Sequence, residues 1–176
     1  LKIEPGTAFA ARGQTEADAD TQADCYLAAC DALEGSGYMQ YEISNFAKPG
    51  FASRHNLRYW GCGEYLGLGP GAHSFLDGRR FHYKRDLGAF CAGAVPEDDG
   101  EGGGLEEYVM LRLRLADGLS EHDLRARCGT DFAIFDEQTL ARLETGGFLR
   151  HGAGRIALTR QGFLMSNAVI GALLFP

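Results

Sequence analysis

The chain has no run of about 18 consecutive apolar residues, so no membrane-spanning helix is expected. It has no CxxC pair: its five cysteines, Cys25, Cys30, Cys62, Cys91 and Cys128, are scattered and odd in number. That usage fits a reduced, cytoplasmic setting with buried or incidental thiols, and no zinc or cluster site is expected. It also lacks a basic surplus. Residues 1–104 hold nine Lys/Arg against fifteen Asp/Glu, and residues 105–176 hold eight against nine, so the acidity sits in the first part. Neither part suits the phosphate backbone of a nucleic acid. The opening LKIEPGT has neither an initiator methionine nor the basic and apolar regions of a signal peptide, and reads as a piece cut from a longer protein.

What is present is a globular composition. The chain has 176 residues, 45% apolar and 23% charged, enough for one domain or two small ones around a sizeable core. The stretch Tyr41–Phe75 stands out. It combines a histidine–asparagine pair, three aromatics at Tyr59, Trp60 and Tyr65, and a glycine-rich run from Gly67 to Gly71, with little periodicity of either kind. Long irregular segments in compact chains are usually functional or disordered, and this one is too aromatic for disorder.

Around that stretch the local signals predict a fold. Leu1–Glu4 alternates and ends at Pro5-Gly6, as a strand would. Thr15 offers an N-cap, Ala23, Tyr26, Leu27, Cys30 and Leu33 share one helical face, and Gly35 and Gly37 supply the stop. Met39, Tyr41 and Ile43 then alternate as a second strand. Strand, helix and strand make a βαβ unit, hence a parallel sheet with its ligand beyond the carboxyl ends of the strands, where residues 45–75 begin. Ser74–Tyr83 predicts a hairpin about Asp77-Gly78, and Lys84–Ala94 a short helix. Val95–Gly104, with four acids and four glycines, reads as a linker separating residues 1–94 from a second domain at 105–176.

The second domain predicts a helix at Leu105–Leu115, a helix from the Ser120 cap to Gly129, and a third over Phe132–Thr145. A hairpin about Gly152-Ala153-Gly154 and a last helix from Thr159 to Leu174 follow. That is the winged-helix order. A DNA-binding reading fails on charge, because the groove-facing helix carries Asp131, Asp136, Glu137 and Glu144 against Arg142 alone.

Two features could carry chemistry. GLGPGA at 67–72 fits the G-x-G-x-x-A dinucleotide fingerprint, but a hairpin follows where that motif needs a helix, so a tight glycine turn against another backbone is the better reading. A neutral His55 imidazole could ligate haem iron, with Tyr59 and Trp60 stacked on the macrocycle. It could equally be a hydrogen-bonded structural histidine under two covering aromatics. His73, at the foot of the glycine run, is the next candidate to line a site.

EPGT at 4–7, YEISNFAKPG at 41–50, RHNLRYW at 54–60 and YLGLGPGAHS at 65–74 resemble the radical SAM family of oxygen-independent coproporphyrinogen III oxidases. LRLADGL at 113–119 and LTRQGFLMSNAVI at 158–170 are similar to its C-terminal domain. The resemblance implies α/β plus α architecture: the last strands of a partial TIM-like barrel, as a βαβ unit and hairpin, then a small winged-helix-like domain. It also implies a [4Fe–4S] cluster on a CxxxCxxC loop and S-adenosylmethionine in the whole protein. No CxxxCxxC occurs here, so the chain alone should hold no cluster and has no catalytic residues to name; Leu1–Glu4 is its one expected contact with S-adenosylmethionine.

The HNxxYW pattern, His55, Asn56, Tyr59 and Trp60, is associated in the family's haem-chaperone branch with haem binding, and Gly67, Gly69, Gly71 and His73 could line the same site. The resemblance thus favours a haem chaperone that passes haem to an acceptor over an oxidase that decarboxylates coproporphyrinogen III. The missing barrel strands would leave an open edge through which the chain could dimerise.

Overall fold

A computed structural model describes residues 3–175. Thr7 caps a single turn, α1 (Ala8–Ala11). The long helix α2 (Ala19–Gly35) is capped by Asp18 rather than Thr15. The Asp18 carboxylate accepts from the Thr21 amide at 2.9 Å and the Thr21 hydroxyl at 2.7 Å, and a charged cap also meets the helix's positive end.

The expected parallel βαβ unit does not form. Ile3 and Glu4 lie in irregular backbone, and Leu1 and Lys2 fall outside the described residues. β1 (Met39–Glu42) turns back at once and pairs antiparallel with β2 (Asn45–Ala47). Glu42 drives the reversal, since its Oε2 accepts from the Ser44 amide at 3.0 Å and Asn45 Nδ2 at 2.6 Å. The other edge of β1, where a parallel neighbour would sit, bonds to the second half of the chain. Ile43 N donates to Arg114 O at 3.1 Å and Ala116 N to Tyr41 O at 3.1 Å.

A short helix, α3 (Arg54–Trp60), follows, and the predicted hairpin is β3 (His73–Leu76) with β4 (Arg79–His82). Asp77 and Gly78 take the positive φ values, 50° and 73°, of a tight two-residue turn. After α4 (Leu87–Cys91), the stretch expected to be a linker carries a strand instead. β5 (Glu97–Glu101) adds to β4, giving a three-stranded sheet in the order β3-β4-β5. It buries almost nothing. Its acids are matched across the ladder, with Asp98 on Arg79 and Glu97 on Lys84 at 2.8 Å. That charge pairing replaces the apolar pattern from which strands are read.

The remainder follows the expected order with two corrections. α5 (Leu105–Arg112), β6 (Leu119–Ser120) and α6 (Glu121–Cys128) lead on, Ser120 capping α6 and Gly129 closing it at φ 69°. The third helix is split: one 3₁₀ turn at Phe132–Ile134, then α7 (Glu137–Thr145), restarted by the Asp136 cap. β7 (Leu149–Gly152) and β8 (Arg155–Leu158) form the hairpin, and β8 lies between β6 and β7. The last helix is also split at Met165, into α8 (Arg160–Leu164) and α9 (Ser166–Leu174). Gly162 lets α8 press on the backbone entering β7, where a Cβ would lie 1.9 Å from Phe148 O.

Among the described residues, one hydrophobic cluster draws on both parts of the chain. It is built mainly from residues 108–173, with Leu113, Leu119, Leu124 and Ile156 fully buried, and it takes in Cys62 and Phe75 from the first part. Tyr26, Ile43 and Tyr65 pack against it. The irregular stretch is therefore seated on the core of the second half.

Candidate functional site

The HNxxYW residues lie on α3, which periodicity did not reveal. Seven residues are too few for an apolar face, and the legible signals were the Ser53 cap, accepting from Asn56 N at 3.3 Å, and Gly61 at the C-cap. The helix spaces the four residues as two adjacent ridges, 55 with 59 and 56 with 60. His55 is exposed, and its Nε2 is hydrogen-bonded to the Tyr59 hydroxyl at 3.0 Å. Tyr59 meets the ring of His55 edge-on at 4.7 Å between centroids and that of Tyr65 at 4.4 Å. Tyr65 is bridged to Phe75 by two backbone bonds of 2.7 and 2.9 Å, and its hydroxyl takes a bond from Arg80 at 3.3 Å. Arg80 is in turn paired with Glu107. The imidazole thus stands at the outer end of an aromatic chain anchored in the core.

Trp60 turns the other way. The Arg114 guanidinium stacks 4.6 Å from its ring centroid, and its Nε1 is buried without a protein partner. Arg114 also bonds Glu42 at 3.1 Å, and Glu42 is only 1% exposed. The pairing of Glu42 with Arg114 left no signal in the sequence, because 72 positions separate them. Cys62, just beyond α3, is buried, and that burial pushes its thiol pKa up. It is a packing residue, not a reactive one.

The glycine run is the tight turn against backbone that was expected. A Cβ on Gly67 would lie 2.1 Å from the His73 carbonyl oxygen, and Gly67 N donates to Ser74 Oγ at 3.0 Å. Gly69 and Gly71 sit at φ 101° and 77°. The run presents Leu66 and Leu68 to solvent, the latter 84% exposed. His73 does not join His55. It pairs across the hairpin with His82, the rings stacked at 4.6 Å, and both reach Asp99: His73 Nδ1 at 3.1 Å and His82 Nδ1 at 2.9 Å. Partial desolvation works to raise the Asp99 carboxyl, and the bonds from His82 and His73 outweigh it, holding its pKa below the ordinary value. His82 was legible, since a two-residue turn at 77–78 places 73 opposite 82; Asp99 was not.

A cleft of about 520 Å³ lies behind α3, lined by Met39, Lys48, Pro49, Leu57, Arg112 and Leu115 among others. Leu57 is roughly 200° around the helix from His55, so this cleft and the imidazole face opposite ways.

Residues 104–165 match the HemN C-terminal domain. The chain is 32% identical over 186 residues to the heme chaperone HemW of Bacillus subtilis, spanning 99% of this chain and 49% of that protein. It is 35% identical over 186 residues to the heme chaperone HemW of Mycobacterium tuberculosis, spanning 99% and 46%. The chain belongs to the HemN/HemW family. It spans about half the length of these relatives. Among solved structures, the radical SAM enzyme coproporphyrinogen III oxidase (HemN) from Escherichia coli superimposes with a TM-score of 0.67. That match covers 95% of this chain and 45% of the other at 17% identity, a likeness of fold. The α/β architecture with a helical C-terminal part is thus that of the radical SAM relative. None of the helices among the described residues is long and apolar enough to cross a membrane.

Radical SAM relatives imply a [4Fe–4S] cluster, and the thiols here do not fit one. Cys25 and Cys91 are exposed, Cys30 and Cys62 buried, and Cys128 half-buried. Among the described residues, no cysteine belongs to a group of three close ligand side chains.

Proposed function

We propose that this chain is the haem-contacting part of a haem chaperone of the radical SAM type, and that haem is met by the outer ridge of α3. One observation carries the reading: the exposed His55 imidazole is steered by Tyr59 one turn along, at the open end of the aromatic chain. Free access suits an iron ligand, and a fixed orientation lowers the entropy lost on ligation. Tyr59 and Tyr65 supply flat aromatic surface beside it, with Asn56 and Trp60 flanking the ridge. The loop of Gly67, Gly69 and Gly71 brings up Leu66 and Leu68 as apolar cover for a macrocycle, with His73 beyond. The relatives named heme chaperone HemW support this reading. In it, residues 1–94 are the last part of a partial TIM-like barrel and residues 105–176 a winged-helix-like module. The order α5, β6, α6, α7, β7, β8 supports the second assignment.

The test is a haemin titration of the chain, followed by Soret absorbance and by quenching of Trp60, its single tryptophan. Wild type is compared with His55→Ala, with the exposed His122→Ala as control. A histidine-type Soret shift in wild type and in His122→Ala, lost in His55→Ala, is the expected result. Equal shifts in all three return His55 to a surface role and refute the reading. Turnover of coproporphyrinogen III by the whole protein would instead mark it as an oxidase.

A further inference from the structure

We infer that His73, His82 and Asp99 form a binding site for a divalent transition-metal ion of the zinc class, separate from the α3 ridge. Three donors of the right kind converge: two imidazoles and one carboxylate, their ligand atoms all within 4.8 Å of one another. A tetrahedral ion with bonds near 2.0–2.1 Å holds its ligand atoms roughly 3.4 Å apart. The observed 3.1 Å from His73 Nδ1 to Asp99 and 2.9 Å from His82 Nδ1 to Asp99 need to open by only a few tenths of an ångström.

The backbone builds this convergence. His73 and His82 are direct partners in the β3–β4 ladder, and their rings stack 24° from parallel, which points both Nδ1 atoms toward β5. On β5 the register slips. Arg80 pairs with Gly100 and Phe81 with Asp98, so Asp99 is the extra residue of a β-bulge. A bulge re-aims a side chain, and this one brings the Asp99 carboxylate to the Nδ1 atoms of both stacked rings.

The surroundings complete the pattern of a metal site. A ligating histidine usually turns its other ring nitrogen to a carboxylate. His82 comes close to this: its Nε2 lies 3.6 Å from Glu97 Oε2, just beyond hydrogen-bond length, and Glu97 is held from behind by Lys84 Nζ at 2.8 Å. The His73 side chain is 62% exposed, which leaves an entry path and room for water or a substrate atom at the remaining positions. Two histidines and a carboxylate with an open position suit Zn²⁺ and its first-row neighbours, and not Ca²⁺ or Mg²⁺, which take oxygen ligands.

The test titrates ZnCl₂ into the chain by calorimetry and CoCl₂ by visible absorption. Asp99→Asn, His82→Gln and Glu97→Gln are compared with wild type, with far-UV circular dichroism as the folding check. One ion per chain is expected, with cobalt d–d bands of nitrogen and oxygen ligation and no thiolate charge-transfer band. Asp99→Asn and His82→Gln should each weaken binding at least 100-fold. Glu97→Gln, which leaves all three ligands in place, should weaken it roughly 10-fold and decides the matter if either ligand variant misfolds. Absence of saturable binding, wild-type affinity in folded variants, or thiolate bands that vanish in Cys25→Ser or Cys91→Ser would each overturn the proposal. Haem binding through His55 is read separately, so either inference can fail alone.

Discussion

The contact between Glu42 and Arg114 joins two backbone bonds in tying the stretch before α3 to the second half of the chain, and removing one partner should be costly. Glu42 is 1% exposed and accepts from Arg114 at 3.1 Å, Ser44 N at 3.0 Å and Asn45 Nδ2 at 2.6 Å. Arg114→Leu removes the counter-ion and the stacking on Trp60 while leaving a carboxylate that water cannot reach. Breaking a buried pair in this way costs on the order of 3–5 kcal/mol. The Arg114 side chain is 31% exposed, so water already screens part of the cation, and the lower end, about 3 kcal/mol, is expected. The double variant Glu42→Leu/Arg114→Leu removes the stranded charge and forfeits only the two neutral donors, each worth about 1 kcal/mol. It should therefore be less destabilised than the sum of the singles, with a coupling of about 1–3 kcal/mol. Urea unfolding followed by far-UV circular dichroism measures all three. A loss below about 1 kcal/mol in Arg114→Leu would match an exposed pair and refute the argument.

Other outcomes follow from the same geometry. Gly67→Ala forces a methyl group against the His73 carbonyl, 2.1 Å away. It should cost about 1–3 kcal/mol as overpacking against backbone, read as a lower Tm. Ser120→Ala removes the oxygen that accepts from Asp123 N at 3.3 Å and should cost about 1 kcal/mol in urea unfolding, with Ser120→Asp largely restoring it. Tyr59→Phe frees His55 Nε2 and should broaden and weaken the haemin-induced Soret change without altering Tm. Acid stability depends on the helix caps. Asp136 is held below its ordinary value of 3.8 by backbone and side-chain bonds from Thr139, and Asp18 likewise by Thr21. A depressed folded-state value means the folded state holds fewer protons, so this stabilisation is complete above 3.8 and is lost as pH falls through the folded value. Acid titration of Asp136→Asn should show a shallower loss below pH 3.8 than wild type, and an unchanged profile would sink the assignment.

The elements legible in the sequence are those settled by a few neighbouring residues. Asp77-Gly78 adopts a left-handed pair of dihedrals wherever it lies between short strands, and Ser120, Gly129 and Thr159 mark helix ends by bonds spanning three or four residues. The hydrophobic order of the second half and the family motifs were likewise local, which is why membership in the HemN/HemW family could be read from the sequence. Three assignments needed the folded chain. The partner of β1 was decided by Arg114–Ala116 occupying its free edge, which no pattern within residues 39–44 records. β5 was hidden because an acidic strand with nothing to bury is held by cross-strand cations and a backbone ladder, and both belong to its neighbour. Asp99 meets His73 across 26 positions only because a bulge shifts the register by one residue. Short-range backbone preferences are additive along the chain and survive in the sequence. Edge pairing, charge compensation and register are properties of two segments at once, so they exist only when tertiary packing has brought both together.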